Sequence, residues 1–331
     1  MSDLLTLIVP LLDRHKLTNR VLDSLDKQSC EFKIIIADGS QSQWSGEYKN
    51  LDIEYFYNGF DHNIAQYMNK MYGAFQRVKT PLSMVFDNDD LVDLAGIRNG
   101  IHFLSEKLEY STYRNDVRPL HLTPNIQIDD SLYTEASIEQ EQATDRLRSA
   151  LHNFNSFNFS IFRTPIVKCF FEILDALNND DFQLFQKGWA YISAIFGKCK
   201  RLHNESYYYF IPGDSILQNN GKVHKFSNWM NTKHWETAAP TMISMVATVF
   251  RFLHNKDIRY SFADAFVSEV CRKNNIMLSD ESYFERCADH SFHYDPKISG
   301  ILDKYSFEYQ KFDYKKQTSS THKEFLKSLS T

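Results

Sequence analysis

The chain has 331 residues, 43% of them hydrophobic, with only 11 glycines and 8 prolines; it can bury a large core, and collagen-like or linker-dominated organisation is excluded. The formal net charge of −5, from 37 basic and 42 acidic residues, lacks the basic excess of a dedicated nucleic-acid binder, so no nucleic-acid partner is expected. Cys30, Cys169, Cys199, Cys271 and Cys287 lie far apart with no Cys-x-x-Cys pair, which indicates neither zinc nor a disulfide framework and points to a reducing cytoplasm.

In chain order, LLTLIVP (4–10) predicts a first buried strand closed by Pro10, and KLTNRVLDSLDKQ a helix with Leu17, Val21, Leu22 and Leu25 on one face. The start has no basic leader and meets Asp13 and Arg14 at once, so it reads as a strand rather than a signal peptide. FKIIIADGS is a second strand, IEYFYN a third, IAQYMNKMYGAFQRV a helix, TPLSMVFD (80–87) a fourth strand, and LVDLAGIRNGIHFLSEK the helix that leaves it. Strands alternating with helices predict βαβ units: an α/β fold with a mainly parallel sheet flanked by helices.

Residues 111–150 are polar and read as an insertion or long loop around the helix TDRLRSALHNF. FNFSIFRTPIVKCFFEIL predicts an edge strand running into a helix near Pro165, and NNDD caps a helix that ends at Gly197. From residue 214 the pattern is helical. These expectations divide the chain at about residues 110 and 213, into a βαβ half (1–110), a mixed half (111–213) and a helical C-terminal region (214–331). No apolar run reaches the roughly 18 residues of a spanning helix.

The strand MVFDNDD sets three aspartates in four positions at its mouth. Such carboxylates repel and resist leaving water, so they need protonation, solvation or a cation. Asp87, Asn88, Asp89 and Asp90 offer the hard oxygens that Mg²⁺ or Mn²⁺ takes, while Asp89 or Asp90 could instead cap the next helix. In a parallel sheet Asp38 and the Asp87–Asp90 group both fall at carboxyl ends, on the rim where such folds bind ligands. Asp38 precedes Gly39 and also suits a simple turn; Lys70 also suits a solvated helix face.

LTLIVPLLDRHKLTNRVLDSL, FKIIIADGS, MNKMYGAFQRVKTPLSMVFDNDD and DDFQLFQKGWAYISAIFGKCKRL follow one another in the order of family 2 glycosyltransferases with the GT-A fold, and the chain resembles that family over about residues 4–215. The resemblance implies an inverting, metal-dependent transfer from a nucleotide sugar, UDP-sugar favoured, to a glycan or lipid-linked glycan acceptor in bacterial surface polysaccharide synthesis. It implies that Pro10, Leu11 and the residues to Arg14 line the nucleotide pocket, that Asp38 bonds the base, and that Lys70 faces the donor. Asp87 and Asp89 match the two aspartates of the DXD motif, toward ribose and metal, with Asn88 between them.

Inverting transfer needs a base beside the acceptor, and Asp181, with Asp180 before it, stands at the family's position for that carboxylate. Relatives with a Glu inside this helix differ from this chain, which has Gln183 and Gln186 there. His152, His203 and His224 read as structural or surface residues, although imidazole could also serve as a metal ligand. Arg163, Trp189 and Trp229 suit either an acceptor pocket or core packing. The tail KYSFEYQKFDYKK mixes aromatics with Lys and could touch a membrane surface peripherally, at the inner face of the plasma membrane. Two alternatives stand beside the enzyme: a non-catalytic binding or scaffold domain of a larger glycan-assembly protein, and a nucleotidyltransferase, for which PLLDRHKLTN lacks a glycine-rich phosphate loop.

Overall fold

The computed structural model describes residues 2–122, 126–128, 136–152, 159–210, 229, 235–273 and 293–310. One sheet organises it. The order is β3 (Ile53–Tyr57), β2 (Lys33–Asp38), β1 (Leu5–Leu11), β4 (Leu82–Val85), β8 (Ile161–Arg163), β6 (Tyr110–Leu122), β9 (Lys198–Phe210) and β5 (Leu91–Val92), with β7 (Ile126–Ile128) on β6. The first four strands are parallel; β8 then runs antiparallel to both β4 and β6.

Period-two alternation divides the core between the two faces of the sheet. Leu5, Leu7, Val9 and Leu11 of β1 pack with α1 (His15–Lys27) and α3 (Leu94–Glu106). Ile8 faces the opposite way, toward α2 (Ile64–Arg77), α5 (Thr164–Ala176) and α6 (Phe182–Phe196). The same cluster holds residues of α7 (Trp235–His254), α8 (Arg259–Lys273) and α9 (Pro296–Gln310), so these three helices share the core of the sheet. Among the described residues no helix is long and apolar enough to cross a membrane.

Four expectations are corrected. Pro10 does not end β1 but lies within it, opposite Ala37. The carbonyl of Ile8 bonds Phe86 N while that of Leu11 bonds Gly39 N, so even-numbered residues of β1 face β4, whose ladder ends at Ile8. Pro10 therefore lacks its N–H where no partner strand remains. The helix after the acid turn begins at Leu94, not Leu91, because Asp93 caps it by accepting from Ala95 N; Leu91 and Val92 pair with β9 instead. The strand before Pro165 is interior, held between β4 and β6. The polar segment after residue 110 carries the 13-residue strand β6, whose inner residues Tyr113 and Val117 are buried.

On α8, burial raises the Glu269 carboxyl, but bonds from Arg272, His152 and Lys273 outweigh it and hold the group down to about 2. A depressed native value stabilises the fold above the unfolded carboxylate value of 4.5, and the gain fades as pH falls toward 2. Glu269→Gln is accordingly expected to cost about 1–2 kcal/mol at pH 7, with a smaller deficit at pH 3. Thermal melts at the two pH values measure it; equal deficits would refute the assignment.

Candidate active site

The carboxyl ends of β1, β2 and β4 form one rim. Past Val85 the chain turns through Phe86 and Asp87–Asp90, with Asp90 N donating to the Asp87 carbonyl at 3.3 Å. One carboxylate oxygen from each of Asp87, Asp89 and Asp90 lies within 4.8 Å of the others. Asp90, which was a candidate helix cap, joins this cluster and is fully buried. Desolvation and the charge of Asp89 push the Asp87 carboxyl up to about 7 against the pull of Arg14. Burial likewise raises Asp89, again opposed by Arg14. Three hard oxygens this close together, on Asp87, Asp89 and Asp90, fit a divalent cation.

The loop after β1 closes over this turn. Arg14 Nη1 bonds Asp89 Oδ2 at 2.6 Å, Arg20 donates to the Asp89 carbonyl, and Asn88 Nδ2 donates to Thr18 Oγ1 at 3.1 Å. Thr18 is consequently a buried residue of α1, while Leu17 is only half-buried. Asp13 ties the loop to β2: its amide donates to Ser40 Oγ at 2.7 Å and its carboxylate accepts from Gln41 N.

Asp38 is fully buried at the end of β2. It accepts from Ser40 N (2.8 Å), Trp44 N (3.0 Å) and the Tyr55 hydroxyl (2.7 Å), and thus holds the loop that runs to Trp44. A carboxylate has about four lone-pair positions, so three donors leave one acceptor position. Trp44 and Tyr55 stand side by side there, ring centroids 6.0 Å apart.

Lys70 is not on a solvated helix face. It is fully buried, with Nζ 3.0 Å from the Leu11 carbonyl and 2.5 Å from Asp61 Oδ2. Asp61 N donates to the Gly39 carbonyl, Gly39 N to that of Leu11, and a Cβ on Gly39 would collide with the Asp61 carboxylate. The ion pair fastens β1 to β2 from below. Asp61 is absent from the sequence-derived site; the available signal was an aspartate two residues before Asn63, which takes the capping role of α2 and leaves Asp61 without one.

Asp181 caps α6, accepting from Leu184 N at 2.6 Å, and its second oxygen accepts from Trp229 Nε1 at 2.9 Å. It is buried, whereas Asp180 is exposed. Phe185 on the first turn of α6 packs against Tyr67, whose hydroxyl is raised first by burial and then by the charges of Asp87 and Asp61. The Tyr67 ring thus packs on the start of α6 and feels the charge of Asp87.

Arg163 donates to the carbonyls of Leu104, Lys107 and Tyr110, and Trp189 packs among Phe162, Phe170 and Phe185, so both serve the core. His152 pairs with Glu269. The side chain of His203, His224 and the end of the Lys-rich tail lie outside the described residues.

No family model and no curated protein matches the sequence. Among solved structures the chain is similar to S. aureus TarS 1–349 in complex with UDP-GlcNAc, at 10% identity over 94% of this chain and 88% of that one, with a TM-score of 0.50. It is also similar to S. aureus TarS at 14% identity over 94% of this chain and 53% of that one, again with a TM-score of 0.50. The fold is GT-A. In a GT-A frame the parallel half of the sheet puts Asp38, the Asp13–Arg14 loop and the acid turn at adjacent strand ends, the side on which open α/β sheets bind their ligands.

Proposed function

We propose that this protein is a glycosyltransferase that moves a sugar from a nucleoside-diphosphate donor, a UDP-sugar by preference, to a hydroxyl of a glycan or lipid-linked glycan acceptor, inverting the anomeric centre. The observation that carries the reading is the three-carboxylate cluster at the end of β4 on a GT-A sheet. The complex of TarS with UDP-GlcNAc supports the choice of donor. Polysaccharide synthesis at the cytoplasmic face of the membrane is the corresponding setting.

Asp87 and Asp89 would hold Mn²⁺ or Mg²⁺, with Asp90 as a third oxygen; when bound, the cation supplies charge to the diphosphate as its bond to the sugar breaks. Asp38 fixes the loop beneath the nucleoside and has one acceptor position left for the base. Pro10 and Leu11 form the floor, and Lys70 acts through it rather than at the surface. Asp181 takes the acceptor proton as the hydroxyl oxygen attacks the anomeric carbon from the face opposite the leaving diphosphate, and the exposed Asp180 lies next to it on the acceptor side. The amide and indole donors orient the Asp181 carboxylate and leave further lone pairs for the proton.

The same two bonds favour a second reading, a binding domain in which Asp181 is purely a cap. Nucleotide release from a panel of UDP-, GDP- and CMP-sugars with Mn²⁺ separates the two. The native chain is expected to turn over at least one donor, and Asp181→Asn to slow it by about 10²–10⁴-fold while nucleotide still raises the melting temperature. Stabilisation without turnover would transfer the case to the binding domain, and neither effect with any nucleotide would overturn both.

A further inference from the structure

Arg14 occupies a backbone position that the sequence does not favour. Asp13 has φ 54° and Arg14 φ 60°, two successive non-glycine residues in the left-handed region, where a side chain crowds its own backbone. Such strain persists only where the surroundings enforce it. Here the enforcement is visible: Ser40 Oγ and Gln41 N hold Asp13 from the β2 side, and Asn88 Nδ2 holds its carbonyl from the acid turn. Arg14 sits at the N-cap of α1 but makes no side-chain cap. Its side chain instead crosses to the acid turn, where the guanidinium takes Asp89 Oδ2.

One carboxylate oxygen of Asp89 lies within 4.8 Å of carboxylate oxygens of Asp87 and Asp90, so a cation shared by the three would stand on the same carboxylate that the guanidinium holds. Two positive charges at that separation repel, and Asp89 has little room to retreat because it is buried and its carbonyl is held by Arg20. The Arg14 side chain is 20% exposed on a pinned backbone, so the guanidinium stands at the edge of the rim, between the acid turn and solvent.

We propose that Arg14 is a resident counterion of the acid turn: it competes with a divalent cation for Asp89 and, once displaced, turns to the diphosphate of the nucleotide. Metal and nucleotide are thereby coupled, since the metal frees the guanidinium and the nucleotide captures it. The inference rests on the metal-site reading above.

Mn²⁺ binding, followed through the spin resonance of the free ion, tests it without any turnover. Arg14→Gln is expected to bind Mn²⁺ alone about fivefold more tightly than the native chain, and at saturating Mn²⁺ to bind UDP about fivefold more weakly. Lys16→Gln removes an equal charge from the exposed side of α1, two residues along the chain, and its Mn²⁺ affinity is expected to change by less than about twofold. If Arg14→Gln melts early, Arg14→Lys, which keeps the charge, and Arg14→Met, which removes it, form the second pair: native-like Mn²⁺ affinity in the first and tighter binding in the second. Unchanged or weaker Mn²⁺ binding in Arg14→Gln, or an equal gain in Lys16→Gln, would overturn the counterion role while the metal site stands. Failure of the native chain to bind Mn²⁺ with or without UDP would overturn the metal site and this inference together.

Discussion

Asp89→Asn is expected to lower donor turnover by about 10²–10³-fold while shifting the melting temperature by only a few degrees. The substitution keeps the volume and one neutral oxygen but removes the carboxylate that closes the cluster with Asp87 and Asp90. Its effect on stability is a difference of opposing terms. The bond to Arg14 is weakened, and the repulsion that helps push Asp87 up to about 7 is relieved, so the Asp87 carboxyl moves back down toward its ordinary range. Site chemistry has no such compensation, since a bound cation would lose a charged ligand. Donor turnover and Mn²⁺ binding, measured with a thermal melt on the same sample, check it. A variant that folds, binds Mn²⁺ as the native chain does and turns over donor at the native rate would remove Asp89 from the site.

The contrast between what the chain discloses and what it conceals follows the range of the interactions. Local periodicity marked α1, α2 and α6, and the apolar runs marked β1 to β4, because a buried strand or an amphipathic face is written within a dozen residues. The convergence of Asp38 with the acid turn was also legible, because parallel strands share their carboxyl ends. What stayed hidden depends on pairing across distance. The polar look of residues 111–122 concealed β6 because its partners, β8 and β9, begin some 50 and 90 residues further on. The Lys70–Asp61 pair was missed for a similar reason. A lysine on a helix is normally solvated, and only the fold shows that its ammonium reaches the Leu11 carbonyl under the sheet rim. Asp181 was legible as a cap from Asn-Asn-Asp-Asp before an apolar run, but its indole partner, Trp229, lies 48 residues on. The role of Asp93 was masked by three stronger-looking acids immediately before it.

The largest stability effect is expected at that buried pair. Lys70→Met should lower the melting temperature by roughly 10 °C, the consequence of about 3–5 kcal/mol, because Asp61 is left almost wholly buried without its cation. Burial raises Asp61 and lowers Lys70, and each is held back by the other, so removing one releases the other to titrate. An unpaired Asp61 takes up a proton, which makes the Lys70→Met deficit shrink as pH falls. Asp61→Asn strands the ammonium instead, and its deficit shrinks as pH rises. The double variant Lys70→Met/Asp61→Asn is expected to lose clearly less than the sum of the two, because neither group is then an isolated buried charge. Opposed pH trends of the two single variants identify a buried ion pair, whereas parallel trends or simple additivity would mean that Lys70 contributes packing alone. The pair also reaches the site: it bonds the Leu11 carbonyl and braces Gly39, the points from which the Asp13–Arg14 loop and the Asp38–Trp44 loop depart. Nucleotide binding should therefore fall in both single variants even well below their melting temperatures, and recover in the double variant only to the extent that the rim closes again.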